Sequence, residues 1–147
     1  MRLSTTVRYG ARAMTELASA DPDRAVSVRE VAEAQSISPK YLEHILKALK
    51  AAGLVRAVRG MNGGYALAKP PGSITLKELY ESLVGPVALV HCVDHPDSCP
   101  MHEGCPTRET WVELNEAIQG VLERTTIQDL VQRKKRKALA PASMYYI

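Results

Sequence analysis

The sequence predicts a mainly α-helical fold with one small β-hairpin. Apolar residues recur at helical spacing along most of the chain, a strand-like pattern appears once, and Pro and Gly clusters separate the segments. With 147 residues, 46% of them hydrophobic, the chain is long enough for one globular domain with an appendage. Phe is absent and aromatic residues make up only 5%, so the core must be built from Leu, Val, Ile, Met and Ala.

The first two predicted helices have clear start signals. The first begins at Ser4 or Thr5 and runs to about Ala20, where an Asp-Pro-Asp sequence ends it. The second begins with a capping box, in which Ser27 is the N-cap and Glu30 follows three residues later. Its apolar pattern fades after about two turns.

The third predicted helix begins at Pro39, with Ser38 as its N-cap. Its apolar stripe consists of Leu42, Ile45, Leu46 and Leu49. Gly53 lies where a left-handed C-terminal cap belongs. Because only a few residues separate this helix from the second, the pair is typical of a helix-turn-helix.

A hairpin is predicted directly after the third helix. Residues 54–59 and 65–67 are compatible with strands, and the Gly60-Met61-Asn62-Gly63-Gly64 segment between them supplies turn residues. A hairpin in this place is a wing, so the sequence predicts a winged helix-turn-helix domain over residues 1–72. The Lys69-Pro70-Pro71-Gly72 segment closes it.

The rest of the chain divides into a second region, residues 73–132, and a basic tail, residues 133–147. Thr75 and Glu78 form the capping box of a short helix, which ends at a Gly-Pro pair. Residues 91–106 have no periodicity and are predicted to form a loop. The five basic residues at the start of the tail indicate a disordered segment.

A longer helix is predicted with Thr107 as its N-cap, and a further turn or helix is predicted over residues 126–131. The longer helix carries its large apolar residues on one face: Trp111, Leu114, Ile118, Val121 and Leu122. Such a face is too apolar to leave exposed, so we expect this helix to form a homodimer.

Charge is distributed unevenly along the chain, although its net value is only +3. Residues 1–70 contain 11 Lys and Arg against 6 Asp and Glu, whereas residues 71–132 contain 3 against 10. A basic N-terminal half suits a polyanionic partner. The longest uncharged apolar run falls far short of the roughly 20 residues that span a membrane, and no secretory signal begins the chain. We therefore expect a cytoplasmic protein without a membrane partner.

The third helix and the wing together predict double-stranded DNA as the partner. The first turns of such a helix enter the major groove, where a carboxylate accepts a hydrogen bond from cytosine N4 and lysines neutralise phosphates. An Arg at a wing tip suits a narrow minor groove. The predicted DNA-contacting residues are Ser38, Lys40, Tyr41, Glu43, His44, Lys47, Arg59 and Asn62, with Lys50 on the same helix face.

Three cysteines lie close together in the predicted loop, with six residues between Cys92 and Cys99 and five between Cys99 and Cys105. An odd count in a cytoplasmic chain argues against a disulfide framework. Thiolates are ligands for iron–sulfur clusters and for zinc, and a redox-active thiol is the remaining alternative. No arrangement of a cysteine beside a base indicates a thiol enzyme, so we expect no enzymatic activity.

Three segments resemble one known family. MRLSTTVRYGARAM, ISPKYLEHILKALKAAGLV and VRGMNGGYAL are similar to the bacterial winged-helix regulators of the IscR/NsrR family, and the similarity continues to about Leu130. The resemblance implies a homodimer on pseudo-palindromic promoter DNA, with Glu43 and Arg59 in base recognition. It also implies a [2Fe–2S] or [4Fe–4S] cluster bound by the three cysteines.

The fourth ligand of such a cluster departs from the family pattern. Arg108 stands where relatives have a ligating His three residues after the third cysteine, and Arg8 stands where others have an acidic residue. Arg stays protonated and does not ligate iron. The remaining choices are a group from the partner subunit or one of His91, Asp94, His95, Asp97, His102 and Glu103.

Overall fold

The computed structural model describes residues 3–139. Over these residues the fold is mostly helical with one two-stranded antiparallel sheet, which confirms the predicted fold class. The elements are α1 (Thr5–Ser19), α2 (Val28–Gln35), α3 (Pro39–Ala51), β1 (Val55–Val58), β2 (Gly64–Leu67), α4 (Leu76–Val84), α5 (His91–Asp94), α6 (Arg108–Arg124) and α7 (Ile127–Leu139). Short 3₁₀ turns occupy Pro71–Ser73 and Pro96–Ser98. Within this part of the chain, every helix is too short or too polar to cross a bilayer.

Side-chain caps fix the starts of three helices where the sequence predicts them. The Ser4 hydroxyl accepts a hydrogen bond from the backbone N–H of Thr6 at α1. The capping box of α2 is complete, since the Glu30 N–H donates to the Ser27 hydroxyl and the Ser27 N–H donates to the Glu30 carboxylate. At α4 the Thr75 hydroxyl accepts from the third N–H of the helix. Each cap satisfies a donor that would otherwise lack a partner.

The turn between α2 and α3 is tight. Ser36 ends α2 in the left-handed conformation, with a φ of 52°. The Arg12 guanidinium of α1 donates to the side-chain oxygen of Gln35 at 2.6 Å and to its backbone carbonyl at 2.5 Å. Because that carbonyl lies at the end of α2, Arg12 completes its hydrogen bonding and holds the helix-turn-helix against α1.

A single core joins both parts of the chain. The α3 stripe is buried completely: Leu42, Ile45, Leu46 and Leu49 each have no exposed surface. Ile74, Leu79 and Ile127 belong to the same buried cluster, so α4 and α7 complete the core of the helix-turn-helix. The division of the chain at residue 72 stays a prediction, and the core extends across it.

The wing is anchored at its base to the segment before α2. Strands β1 and β2 pair from Val55 opposite Leu67 to Val58 opposite Gly64. Val26 and Tyr65 exchange two backbone hydrogen bonds, of 2.9 and 2.8 Å. The wing is therefore attached to α2 as well as to α3.

The prediction of a disordered basic tail is wrong for residues 133–139, which form the second half of α7; residues 140–147 lie outside the described part. Ile127 and Val131 are buried on the inner face of α7. The ammonium of Lys134 lies 2.7 and 2.8 Å from the two carboxylate oxygens of Glu16. A charge run indicates disorder only when no apolar face accompanies it, and here the apolar face precedes the run by one turn.

Candidate DNA interface and cysteine loop

Helix α3 presents its polar face to solvent. The side chains opposite the buried stripe are exposed: Lys40, Glu43, His44, Lys47 and Lys50. Since the buried residues lie in the core, the helix cannot rotate without exposing them. These five residues of α3 thus share one fixed and accessible surface, and their individual contacts with DNA stay predictions.

Tyr41 differs from its neighbours on α3 because it is half-buried. Its hydroxyl lies 2.8 Å from the hydroxyl of Thr6, and its ring packs edge-on against Tyr9 with a centroid distance of 6.0 Å. Both partners belong to the start of α1. Tyr41 therefore positions the first turn of α3, a contact between distant residues that spacing within α3 does not indicate. Ser38, just before that turn, is exposed and makes no side-chain cap to α3.

The wing tip projects into solvent. Arg59 and Asn62 are both exposed, and Met61 between them is fully exposed. Gly60 has a φ of 117°, which disfavours any residue with a β-carbon. At Gly63 a β-carbon would lie 2.5 Å from the carbonyl oxygen of Val58. The glycines thus permit a compact turn that presents Arg59.

The segment between α4 and α6 is not a structureless loop, which corrects the sequence prediction. Cys92 lies within α5, Cys99 directly follows the second 3₁₀ turn, and Cys105 precedes α6. All three thiols are free and half-buried. Single helical turns have no apolar periodicity of their own, so the sequence did not reveal them.

Cys105 occupies a polarised position at the start of α6. Its sulfur lies 3.4 Å from the hydroxyl of Thr107. Hydrogen bonds from the Thr107 hydroxyl and backbone lower the pKa of the Cys105 thiol, with smaller contributions from the backbone and charge of Arg108. The same Thr107 hydroxyl accepts a hydrogen bond from the indole of Trp111 at 3.2 Å. Thr107 therefore links the thiol to the first turn of α6 in place of the side-chain cap predicted for it.

The histidines near the cysteines make local contacts. The rings of His91 and His95 lie 4.8 Å apart, and His95 is 3.3 Å from the carboxylate of Asp94. A ring nitrogen of His102 is 3.1 Å from the carbonyl oxygen of Cys99. Over residues 3–139, no three His, Cys, Asp or Glu side chains are gathered closely enough to hold a metal ion. The structure therefore does not bring the predicted ligands together.

Arg108 has a half-buried side chain at the position where the family pattern has a ligating His. Its Nε atom is buried and forms no hydrogen bond within the described part of the chain. The guanidinium lies close enough to Cys105 to favour the thiolate. Arg108 thus contributes charge, not a ligand, to this end of the segment.

Helix α6 has a large apolar surface in contact with solvent. The exposed fractions are 38% for Trp111, 45% for Leu114 and 45% for Val121. Ile118 and Leu122 line an apolar groove of about 320 Å³ with Tyr80, Val87, Leu89 and Leu3. This surface is the one from which the sequence predicts a homodimer.

A helix-turn-helix with an attached hairpin, an exposed polar reading face and a projecting Arg defines a winged-helix DNA-binding protein. The chain belongs to the Rrf2 family: residues 3–133 match the family described as iron-dependent transcriptional regulators. It is a transcriptional regulator and not an enzyme, and regulators of this family bind DNA.

Individual relatives span nine-tenths or more of the chain. The transcriptional regulator CymR of Bacillus subtilis is 33% identical over 147 residues, which cover 100% of both chains. The structure of IscR from T. potens superposes with a TM-score of 0.78 at 31% identity, covering 99% of this chain and 97% of that one. The oxidized form of Staphylococcus aureus CymR superposes with a TM-score of 0.71 at 29% identity, covering 90% and 97%.

Proposed function

We propose that this regulator acts in the cytoplasm as a homodimer on a pseudo-palindromic promoter site, with an iron–sulfur cluster controlling its affinity. Cys92, Cys99 and Cys105 would hold the cluster. The observation that carries the proposal is the position of these three free thiols in the chain. They lie between α4, which completes the core of the helix-turn-helix, and α6, which carries the exposed apolar face. The description of the family as iron-dependent and the similarity to an IscR support it.

The three cysteine thiols are chemically suitable ligands for an iron–sulfur cluster. Three free thiols, each half-buried, are accessible without unfolding of the core. Because the thiols do not converge in the described segment, binding would have to draw the single turns around them together. When bound, the cluster would supply metal–thiolate bonds that order the segment. The set suits [2Fe–2S] and [4Fe–4S] alike, with the fourth ligand unassigned.

In the proposed complex with DNA, α3 would contact the major groove and the wing would contact the minor groove. Glu43 would accept a hydrogen bond from a base edge in the major groove, and Lys47 would neutralise a phosphate. Arg59 would enter the minor groove, where A/T-rich sequence narrows it. The supporting observation is that all three side chains are exposed, Glu43 and Lys47 on α3 and Arg59 directly after β1.

Helix α6 would couple the state of the thiols to the affinity for DNA. Thr107 contacts both Cys105 and Trp111, so a change at this cysteine acts directly on the first turn of α6. Since the exposed apolar face of α6 would form the dimer, movement of that turn alters the spacing between the two reading helices. A coupling of about 1–3 kcal/mol would change operator affinity about 5- to 150-fold.

A thiol switch is the second candidate. The hydrogen bonds and charge that lower the pKa of Cys105 favour its thiolate, which is the form that oxidants attack. The oxidized form of S. aureus CymR belongs to a relative with the same fold. In this alternative, α3 and the wing bind DNA in the same way, and reversible oxidation of Cys105 by an external oxidant controls the affinity in place of the cluster.

Anaerobic purification followed by iron, sulfide and visible-absorption analysis tests the proposal. We expect a coloured protein that contains iron and acid-labile sulfide, and a loss of the colour in each single Cys→Ala variant. Arg108→Ala is the matched control and should keep the colour. A colourless protein that holds one zinc ion would replace the cluster with a structural zinc site. A metal-free protein whose DNA binding responds to oxidant would favour the thiol switch.

A further inference from the structure

Helix α7 carries five consecutive basic residues, 133–137, to which the proposed function assigns no role. All five are exposed. They are also rigidly attached to the reading domain, because Ile127 and Val131 are buried in its core and Lys134 binds Glu16 of α1. The charge is therefore held at a fixed place on the domain that binds DNA.

Most of this charge is unneutralised. Lys134 forms a salt bridge with Glu16, but none of the other four basic residues of the run pairs with a carboxylate in residues 3–139. Asp129 lies one turn before Arg133, and its own carboxylate accepts hydrogen bonds from Thr126. The carboxylate of Asp129 also lies close enough to Arg133 to interact with its charge, and the remaining positive charge of the run suits a polyanion.

Arg133 and Lys137 face α1 across a groove of about 530 Å³. Arg12, Thr15 and Gln35 line its other side. The groove also contains Glu16, which Lys134 neutralises, and it has an apolar floor of Ala11 and Leu130. The free charge in the groove is therefore positive.

A line of contacts connects this groove with the reading helix. The guanidinium carbon of Arg12 lies 5.5 Å from the ring centroid of Tyr9, and that of Arg8 lies 5.9 Å from it. Tyr9 in turn packs against Tyr41 in the first turn of α3. Ala11, the first residue of α1 that lines the groove, follows Thr6 by five residues, a length of roughly 8 Å at the rise of an α-helix. Positive charge thus extends from the reading helix to α7.

We propose that Arg8, Arg12, Arg133 and Lys137 bind the DNA phosphate backbone beside the half-site that α3 reads. We call these four residues the flank surface. DNA fits it because the four side chains are exposed and their positive charge is continuous with the start of the reading helix. The proposal rests on the proposed DNA binding by α3 and is independent of any cluster.

The test compares two double variants on two duplexes. Arg133→Gln/Lys137→Gln removes two charges from the flank surface. Lys135→Gln/Arg136→Gln removes two charges from the same helix but from side chains that do not line the groove. The short duplex is the sequence that the wild-type protein selects from a random library, cut at the ends of the half-sites. The long duplex adds about 10 bp of unselected sequence to each end, roughly one helical turn.

On the long duplex we expect Arg133→Gln/Lys137→Gln to bind roughly tenfold more weakly at about 0.15 M salt, and to reduce the slope of log K against log salt by about two. The control double should change that slope by less than half as much. On the short duplex the two doubles should bind alike. Circular dichroism should show both folded, because Lys134 and its partner Glu16 are retained.

Equal losses from both doubles on the long duplex, or no loss from either, would overturn the flank surface. A selective loss on the short duplex would also overturn it, since the contact would then lie within the half-site.

Glu43→Ala serves as the independent check on base reading: if it relaxes specificity while the flank double binds normally, only the flank surface fails. A wild-type protein that selects no duplex would overturn both proposals. A different result would indicate a small-anion site instead. In that case inorganic phosphate would raise the melting temperature of the wild type and of the control double but not that of Arg133→Gln/Lys137→Gln, and this variant would bind the long duplex normally.

Discussion

The hydroxyl groups of Tyr41 and Thr6 lie 2.8 Å apart and join the first turn of α3 to the first turn of α1 across 35 residues of sequence. The same end of α1 carries Arg8, on the proposed flank surface. The start of the reading helix, where base contacts are made in a helix-turn-helix, is thus held by a side-chain hydrogen bond as well as by the core.

Tyr41→Phe should lower the free energy of unfolding by about 0.5–1.5 kcal/mol, because it leaves the half-buried Thr6 hydroxyl without its partner. Urea unfolding of the metal-free protein measures this. In a double-mutant cycle with Thr6→Ala, the two losses should not add. Additive losses would mean that the two hydroxyls do not interact in solution.

Glu43→Ala and Lys47→Ala should affect DNA binding in different ways. Loss of the Glu43 carboxylate should reduce discrimination at one base position by about 1–3 kcal/mol. Loss of the Lys47 charge should weaken binding to all sequences alike and reduce the salt slope by about one. Competition binding on a set of single-base operator variants separates the two effects. An unchanged ranking of those variants with Glu43→Ala would show that another face of α3 reads the bases.

Local sequence signals were sufficient for the helix-turn-helix and the wing. The capping box at Ser27 and Glu30, the Ser38-Pro39 start and the glycine turn each act within a few residues, and the structure has a helix or turn at each. The buried stripe of α3 follows from its helical spacing alone. These elements were predictable because their causes are local.

Contacts between distant parts of the chain were not predictable in this way. The Lys134–Glu16 pair spans 118 residues, and it helps to make the basic run helical where charge alone indicated disorder. The link from Arg12 to the end of α2 likewise joins residues that no spacing rule connects. At the cysteines, the donor set stays a prediction, and the single turns that separate the thiols could not be predicted because they have no pattern of their own.

Leu114→Asp/Val121→Asp should convert a dimer into a folded monomer. Both side chains are 45% exposed in the single chain, so their replacement by Asp removes interface area without opening the core. Size-exclusion chromatography with light scattering should give about twice the chain mass of 16.1 kDa for the wild type. The double variant should elute near the mass of one chain with an unchanged circular dichroism spectrum. A monomeric wild type at micromolar concentration would contradict the proposed homodimer.

Cys105 should react with iodoacetamide at a lower pH than an ordinary cysteine. Hydrogen bonds from Thr107 lower the pKa of the thiol, so the reactive thiolate is present at lower pH. Thr107→Val removes the hydroxyl and should shift the rate profile to higher pH, whereas Thr107→Ser should keep it. Metal-free Cys92→Ala/Cys99→Ala protein isolates this one thiol for the measurement. Coincident profiles for the Val and Ser variants would remove the Thr107 hydroxyl as the cause.

Control of DNA binding by the cluster is tested by comparing two operator affinities. One is that of anaerobic protein with its cluster, and the other is that of the Cys92→Ala/Cys99→Ala/Cys105→Ala variant. Because the three thiols lie outside the reading surface, the variant should keep its fold and dimer mass. Cluster control predicts a difference of about 5- to 150-fold on at least one operator selected from a random library by either form. Equal affinity of the two forms on every selected operator would contradict it.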